Sequence, residues 1–248
     1  MAPDPTLSIV IPMKNESENA AGLLAEIAAV GALLPDWEVI AVDDGSDDGT
    51  AEVLTALAAA EPRIRVLRHP RSAGQSAAVH SGVLAARGRL VATLDGDGQN
   101  PPAELPALVA PLLNPGAGRI GLVAGQRVGR QDTLSKRLGS RLANALRARL
   151  LKDGTRDTGC GLKAFRREAF LRLPYFDHMH RYLPALFRRD GWEVALVDVS
   201  HRPRAAGRSN YSNLQRALVG IHDLVGVAWL IRRRKKAEAT EVRQTKEG

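Results

Sequence analysis

Short apolar runs alternate with longer segments rich in Ala and Leu over the first half of the chain. Continuous apolar runs are typical of strands inside a parallel sheet, and the longer segments are long enough for crossover helices. The pattern predicts strands at Leu7–Pro12, Trp37–Asp43, Ile64–Arg68, Leu90–Leu94 and Ile120–Ala124. It predicts helices in NESENAAGLLAEIAAVGALL, TAEVLTALAAA, SAAVHSGVLAA and PAELPALVAPLL. This order predicts an α/β fold with a Rossmann-like, mostly parallel sheet flanked by helices.

After Gly125 the pattern becomes less regular. It predicts a basic helix over about Ser135–Leu151, in which Leu residues recur every four positions. A segment rich in aromatic residues follows, and for most of these residues core packing is the safer interpretation. A further strand is predicted at Glu193–Val199, then a helix at about Leu214–Arg233 and a polar tail that we expect to be disordered.

Two aspartates follow the predicted strand at residues 90–94, in the sequence GRLVATLDGDGQNPPAEL. Asp95 and Asp97 are two positions apart, so on an extended chain their carboxylates point to the same side, and Gly96 and Gly98 allow the backbone to turn. Close carboxylates repel each other unless a cation lies between them. The stretch therefore predicts a divalent metal site, with a solvated Asp/Gly turn as an equally weighted alternative.

Two other predicted strands also end in polar loops, PMKNESEN after the first and DDGSDDGT after the second. The carboxyl ends of parallel strands lie at one edge of a sheet, where ligands bind. We therefore expect the three loops to form a polar pocket that suits a nucleotide. The alternative is that Asp44 or Ser46 only caps the following helix. For Ser46 this alternative has the same weight as a role in the pocket, and for Asp44 it has less.

Composition restricts the partners and the compartment. The chain has 248 residues, of which 44% are hydrophobic, and a formal net charge of +8. This charge predicts an anionic partner, but aromatic residues make up only 4% and do not alternate with basic ones, so we expect no nucleic acid. The single cysteine, Cys160, excludes an internal disulfide. The N-terminus has no signal-like segment, which predicts a cytoplasmic protein.

Charge runs suggest a membrane surface. In the predicted basic helix, we interpret Arg147, Arg149 and Lys152 as a solvated face. The segment ALVGIHDLVGVAWLIRRRKK is interrupted by His222 and Asp223 and is too short to span a bilayer comfortably. It fits better as a helix in the headgroup layer, with its terminal bases on anionic lipid. An ordinary core helix with a basic last turn is the alternative.

Rival functions have weaker signals. The sequence GCGLKA at residues 159–164 matches a dinucleotide-binding pattern but does not follow a first strand. No Walker A sequence is present, and no glycine-rich basic loop follows the first strand, which disfavours a nucleotidyltransferase. A non-catalytic membrane-binding module remains an alternative. The acidic pair at residues 95 and 97 argues against it.

Several motifs occur in a familiar order: LSIVIPMKNESEN, VIAVDDGSDDGT, LVATLDGDGQNPPAEL, LVAGQR, RDTGCGLKAFRRE and HRPRAAGRSNY. Together they resemble glycosyltransferase family 2, within it the dolichyl- or polyprenyl-phosphate sugar transferases. The resemblance implies a GT-A fold and inverting transfer of a sugar from a GDP- or UDP-linked donor to a polyprenyl phosphate. It also implies Mg²⁺ or Mn²⁺ and peripheral attachment to the inner face of the cytoplasmic membrane. Transfer to a hydroxyl acceptor is the alternative.

The same resemblance implies roles for individual residues. It places nucleotide contacts at Pro12, Asn15, Glu16, Asp44 and Asp95 and metal contacts at Asp95, Asp97 and Gln99. It assigns catalytic roles to Asp97, Arg127 and Arg137 and acceptor contacts to Arg202 and Ser209. Relatives often carry a lysine where this chain has Asn210, and many carry transmembrane helices. A separate membrane-spanning partner is therefore a further expectation.

The predicted organisation has a catalytic domain over residues 1–213, a membrane-surface helix over 214–236 and a tail over 237–248. A hydroxyl acceptor would need a general base, and FDHMHRYLPALFRRDGWEV offers no convincing one. A phosphate acceptor is already ionised and needs arginines instead. We therefore expect Arg137 and Arg202 to matter more for transfer than Asp177 and His180. The alternative is that Asp177 and His180 are only surface residues of a loop.

Overall fold

The computed structural model describes residues 4–114, 116, 118–128, 147, 149–151, 153–202, 213–235 and 237, and only the backbone within 213–219. The strands in these ranges form a single seven-stranded sheet. They are β1 (Leu7–Met13), β2 (Trp37–Asp43), β3 (Ile64–Arg68), β4 (Leu90–Thr93), β5 (Ile120–Arg127), β6 (Lys163–Arg166) and β7 (Glu193–Val199).

The strand order across the sheet is β3-β2-β1-β4-β6-β5-β7. Strands β2 and β4 flank β1, and both run parallel to it. Strand β6 runs antiparallel to both of its neighbours, β4 and β5. As a result, the first residues of β6 lie at the same edge of the sheet as the last residues of the parallel strands.

Helices cover both faces of the sheet. They are α1 (Ser17–Val30), α2 (Thr50–Ala60), α3 (Gln75–Ala85), α4 (Leu105–Leu113), α5 (Arg167–Leu171), α6 (Leu183–Arg189) and α7 (Asn213–Arg232). In β1, Ile9 and Ile11 pack in a cluster with residues of α1, α2 and α4. Val10 points to the opposite face, where the cluster includes residues of α3, α5, α6 and α7. The alternation of side chains along a strand thus gives a core on each face.

The predicted alternation of strands and helices is confirmed, and three strands have the predicted bounds. The pattern missed β6, because its four residues, KAFR, begin and end with a charge. The interpretation of Arg147 as part of a solvated face is wrong. Arg147 is buried, and its guanidinium donates to the fully buried carboxylate of Asp153 at 2.7 Å and to the carbonyl of Thr155.

Helix α7 is both a core helix and a surface helix. Leu224 and Val227 are buried in the cluster that contains α6. On the other side, Ile221, Val225 and Trp229 are 59%, 64% and 58% exposed. Among the described residues, no helix combines the length and apolar character that crossing a bilayer requires.

Candidate functional site

A cavity of about 250 Å³ opens at the edge of the sheet where β1 and β4 end and β6 begins. Its wall includes Pro12 of β1, Asp95 after β4 and Lys163 of β6, together with His180 and Arg181. Lys163 reaches this edge because β6 is antiparallel, which pairs it with Thr93 at the end of β4. The fold thus collects acidic and basic side chains from distant parts of the chain in one cavity.

Asp95 is held by two amide side chains. Gln75 Nε2 donates to its Oδ1 at 2.6 Å, and Asn100 Nδ2 donates to its Oδ2 at 3.0 Å. Burial raises the pKa of Asp95, and the nearby carboxylate of Asp97 raises it further. Gly161 lies directly against it, since a Cβ at this position would be 2.3–2.5 Å from atoms of the Asp95 carboxyl group. The absence of a side chain at residue 161 therefore makes room for Asp95.

Asp97 and Gln99 lie in the turn that follows. Asp97 is only 8% exposed, and its Oδ1 accepts a hydrogen bond from the Gln99 amide at 3.1 Å. The Gln99 carbonyl accepts from the backbone amide of Arg202 at 3.0 Å, and its side-chain Nε2 donates to the Arg202 carbonyl at 3.3 Å. The turn is thereby attached to the segment after β7. The Arg202 guanidinium itself pairs with both oxygens of Glu26 on α1.

The donor set suits a hard divalent cation. Among the residues that the structure describes, no cluster of three or more His, Cys, Asp and Glu residues is arranged to hold a metal. Mg²⁺ commonly binds through one or two carboxylates and takes its remaining ligands from water and substrate phosphates. Asp95 and Asp97 match that arrangement, since the pKa of Asp95 is raised by its burial and, to a smaller extent, by repulsion from Asp97.

The loops after β1 and β2 are joined by hydrogen bonds. The Asn15 amide donates to Ser46 Oγ at 2.9 Å, and Asn15 Oδ1 accepts from the Asp47 amide at 3.1 Å. The Glu16 amide donates to Thr50 Oγ1 at 2.9 Å. The expected convergence of these two polar loops is therefore confirmed. Ser46 does not cap α2, whose N-cap residue is Gly49 and whose first backbone N–H, that of Thr50, donates to Asp48 Oδ1 at 3.1 Å.

The Asp44 carboxylate is occupied by other protein groups. His69 Nδ1 and the Ala73 amide bond to its Oδ1, while the Ser72 hydroxyl and the Gly74 amide donate to its Oδ2. Burial alone would raise the pKa of Asp44, but these hydrogen bonds outweigh it and lower the pKa. A carboxylate has about four acceptor positions, so Asp44 fixes the loop between β3 and α3 through nearly all of them.

Arg127 at the end of β5 forms a two-pronged ion pair with Asp157, at 2.5 Å from Nε to Oδ2 and 3.0 Å from Nη2 to Oδ1. The neighbouring Gln126 Oε1 accepts from the amides of Arg156 and Asp157 at 2.9 and 3.0 Å. The two side chains fix the segment that leads into β6. Two other predicted site residues, Arg137 and Ser209, lie outside the described residues.

Sequence reasoning missed several residues of the cavity wall, among them Lys163 and His180. Lys163 is only 4% exposed, and burial lowers its pKa, an effect that the charges of Asp95 and Asp157 oppose. His180 lines the cavity, so its interpretation as a surface loop residue is wrong, whereas Asp177 is largely exposed. The RDTGCGLKAFRRE motif was the available signal for Lys163. No local pattern marks His180.

Comparisons with known proteins agree with this geometry. The family model "Glycosyl transferase family 2" matches residues 8–173. The chain is 34% identical over 237 residues to dodecaprenyl-phosphate galacturonate synthase of Rhizobium johnstonii. This alignment covers 91% of the chain and 67% of the relative. The chain is also 37% identical over 213 residues to undecaprenyl-phosphate 4-deoxy-4-formamido-L-arabinose transferase of Pectobacterium carotovorum. That alignment covers 84% of the chain and 63% of the relative. The chain thus spans about two thirds of the length of these relatives.

Solved structures share the fold. Glucosyl-3-phosphoglycerate synthase from Mycobacterium tuberculosis, in complex with UDP, matches with a TM-score of 0.67 at 23% identity, over 91% of this chain and 80% of that one. Mannosyltransferase PcManGT from Pyrobaculum calidifontis, in complex with GDP-Man and Mn²⁺, matches with a TM-score of 0.63 at 20% identity, over 96% and 67%. The predicted GT-A fold is therefore confirmed. With a family model covering most of its length and relatives above 30% identity, the chain belongs to glycosyltransferase family 2.

Proposed function

We propose that the protein transfers a sugar from a nucleotide-diphosphate sugar to a polyprenyl phosphate, in a metal-dependent reaction that inverts the sugar's anomeric configuration. The observation that carries this proposal is the placement of Asp95 and Asp97 beside a cavity lined by Lys163, His180 and Arg181. Relatives at 34–37% identity named for transfer to dodecaprenyl or undecaprenyl phosphate support the acceptor class.

In this proposal the donor's diphosphate lies next to Asp95 and Asp97, and its nucleoside lies along the loops after β1 and β2. Asp95, Asp97 and Gln99 would hold Mg²⁺ or Mn²⁺, which neutralises the negative charge that the leaving diphosphate gains. Lys163 and Arg127 add positive charge near the same point, where it stabilises that group in the transition state. Asp44 supports the nucleotide pocket by fixing the loop between β3 and α3.

An oxygen of the acceptor phosphate attacks the sugar's anomeric carbon as the bond from that carbon to the diphosphate oxygen breaks. The electron pair leaves with the nucleoside diphosphate, and the products are a polyprenyl-phosphate sugar and that diphosphate. A phosphate monoester with its second pKa near 6 is largely dianionic at neutral pH, so this attack requires no general base. The exposed position of Asp177 is compatible with that chemistry.

A lipid acceptor implies contact with a membrane, and α7 has features suited to it. Ile221, Val225 and Trp229 recur every four residues and form an exposed apolar stripe on this helix. The exposed bases of residues 232–235 follow directly. We propose that the stripe enters the headgroup layer while the bases bind anionic lipid, with peripheral docking at the cytoplasmic face of the membrane. A separate membrane-spanning partner remains part of this proposal.

Donor binding tests the proposal first. Nucleotide sugars with UDP or GDP should raise the melting temperature of the protein in the presence of Mg²⁺ or Mn²⁺, because a ligand of the native state stabilises it. Asp97→Asn should remove the metal dependence of this shift, since an amide lacks the charge that offsets a divalent ion. Asp177→Asn is the control and should keep it. A metal-independent shift in the wild type, or none with any donor, would refute the proposal.

A further inference from the structure

The cavity that Asp95 lines is also lined by His180, to which the proposed function assigns no role. His180 lies in the short helical turn Met179–Arg181, just before α6. Across from it, Ser76 in the first turn of α3 is only 1% exposed. The two residues are 104 positions apart in the sequence and are joined by hydrogen bonds. Their contact fixes how the imidazole presents itself to a ligand.

Ser76 Oγ lies 2.7 Å from His180 Nδ1 and also accepts the backbone N–H of His180 at 3.3 Å. A hydroxyl has one proton and two lone pairs. Nδ1 is the one acceptor that the described residues offer to the Ser76 hydroxyl proton, so the arrangement favours donation of that proton to Nδ1. In a neutral imidazole the remaining proton is then on Nε2. Burial, with the nearby charges of Lys163 and Arg181, lowers the pKa of His180 well below its usual value, so the ring is neutral at pH 7.

The Nε2 atom is available to a ligand. Of the two ring nitrogens, only Nδ1 has a hydrogen-bond partner among the described residues. Nε2 is also absent from the buried polar atoms that lack a partner there. Because His180 lines the cavity, Nε2 is the ring nitrogen that is left for a ligand bound there. A neutral N–H donor beside the acidic Asp95 suits an uncharged oxygen such as a sugar hydroxyl.

The size and position of the cavity identify the part of the donor that it suits. Sites for whole small molecules usually measure about 300–1,000 Å³, and this cavity measures about 250 Å³. It therefore fits a fragment of a nucleotide sugar better than the whole molecule. Asp95 lies in its wall, and the diphosphate proposed to bind there is bonded directly to the transferred sugar. The adjoining space is where that sugar would lie.

We propose that His180 donates a hydrogen bond from Nε2 to an oxygen of the transferred sugar and thereby determines which sugars are accepted. Ser76 is the positioning residue that fixes the tautomer. This inference rests on the proposed function, and it names a residue that discriminates between donor sugars. It also predicts that a change at His180 affects the affinity for the nucleotide sugar much more than the affinity for the nucleotide alone.

The experiment measures dissociation constants by calorimetry on the full chain with Mn²⁺. The probes are UDP and GDP, and UDP- and GDP-hexoses. His180→Phe should weaken the binding of the preferred nucleotide sugar by about tenfold, the equivalent of one hydrogen bond, while the free nucleotide binds as before. Ser76→Ala should also weaken the binding of the nucleotide sugar relative to that of the free nucleotide, but by a smaller factor. His180→Gln, which keeps an N–H donor, should lose less affinity for the nucleotide sugar than His180→Phe.

His80→Phe is the matched control. His80 lies on α3, its ring packs at an angle against those of Tyr175 and Phe170, and it is not in the cavity wall. The affinity for the nucleotide sugar relative to the free nucleotide should therefore not change. Equal weakening of nucleotide and nucleotide sugar by His180→Phe would overturn the inference, because His180 would then only support the pocket. An unchanged affinity of His180→Phe for the preferred nucleotide sugar would also overturn it. Failure of the wild type to bind any of the probes would refute the proposed function itself.

Discussion

Arg127 and Asp157 form a bidentate ion pair across 30 residues, with the guanidinium at the end of β5 and the carboxylate in the segment before β6. Both side chains are mostly buried, at 16% and 13% exposure. The pair connects a predicted phosphate-binding arginine to the backbone that leads to Lys163. Its geometry depends on the planar, forked guanidinium, which a lysine ammonium cannot reproduce.

Arg127→Lys should therefore lower the rate of sugar transfer although it retains the charge. We expect a fall in kcat of at least about tenfold, because the change removes one hydrogen bond of a largely desolvated pair and loosens the segment before β6. Steady-state kinetics measures it. Arg63→Lys, in an exposed pair with Glu61, is the control and should be neutral. An Arg127→Lys enzyme with wild-type kcat would show that the forked geometry is unimportant.

Gly161→Ala should disable the site without unfolding the protein. An added Cβ would lie 2.3–2.5 Å from atoms of the Asp95 carboxyl group, so the aspartate must move away from its place beside Asp97. We expect metal-dependent nucleotide binding to weaken by about tenfold or more, because a carboxylate ligand is displaced. Titration of Mn²⁺ in the presence of UDP or GDP measures the loss.

Gly159→Ala is the matched control for that change. Its Cβ would lie 3.2 Å from the end of the Arg127 side chain and clear of Asp95, so metal binding should be nearly preserved. Unaltered Mn²⁺ affinity in Gly161→Ala would exclude Asp95 from the metal site.

His180, which lines the cavity, should make stability depend on pH. Its pKa in the folded protein is well below the unfolded value of about 6.5, mainly because burial disfavours the charged ring. Below about pH 6.5 the unfolded state binds a proton that the folded state does not, so stability is lost as the pH falls through this range. The melting temperature should decrease from pH 7.5 to 5.5, and His180→Phe should make this decrease smaller.

Tyr175→Phe is a suitable control for the pH experiment, because the pKa of Tyr175 is raised above the usual value for tyrosine and the residue does not titrate in this range. The pH dependence of this variant should equal that of the wild type. A His180→Phe protein with an unchanged dependence would indicate that His180 is not held neutral.

The apolar stripe of α7 should bind membranes. Replacing Ile221, Val225 and Trp229 by serine should release the protein from vesicles that contain anionic lipid, since the apolar area that enters the headgroup layer is lost. Replacing residues 232–236 by glutamine should weaken binding in a salt-dependent manner, at about 1 kcal/mol for each base. Vesicle sedimentation measures both effects.

Leu33→Ser is the control for the stripe, because Leu33 is 73% exposed but lies after α1, outside α7. This variant should sediment like the wild type. Equal sedimentation of the stripe variant would place membrane docking on another surface or on a separate membrane-spanning partner.

The parallel part of the fold could be predicted from sequence because each strand is a continuous apolar run that ends in a polar loop. Asp95 and Asp97 were recognisable because their spacing along the chain already indicates shared chemistry. Lys163 was missed as a site residue because its position depends on the antiparallel direction of β6. His180 was missed because its partner, Ser76, is distant in sequence. Burial of Arg147 depends on Asp153, which lies beyond the predicted helix.

The most direct test of the account is transfer of a labelled sugar from the preferred nucleotide sugar to undecaprenyl phosphate, followed by extraction of the lipid product. With Mg²⁺ or Mn²⁺ the wild type should form a labelled lipid phosphate, and chelation of the metal or Asp97→Asn should abolish it. Undecaprenol, which lacks the phosphate, should not be glycosylated. Transfer to undecaprenol at a rate similar to that with the phosphate, or undiminished transfer by Asp97→Asn, would contradict the account.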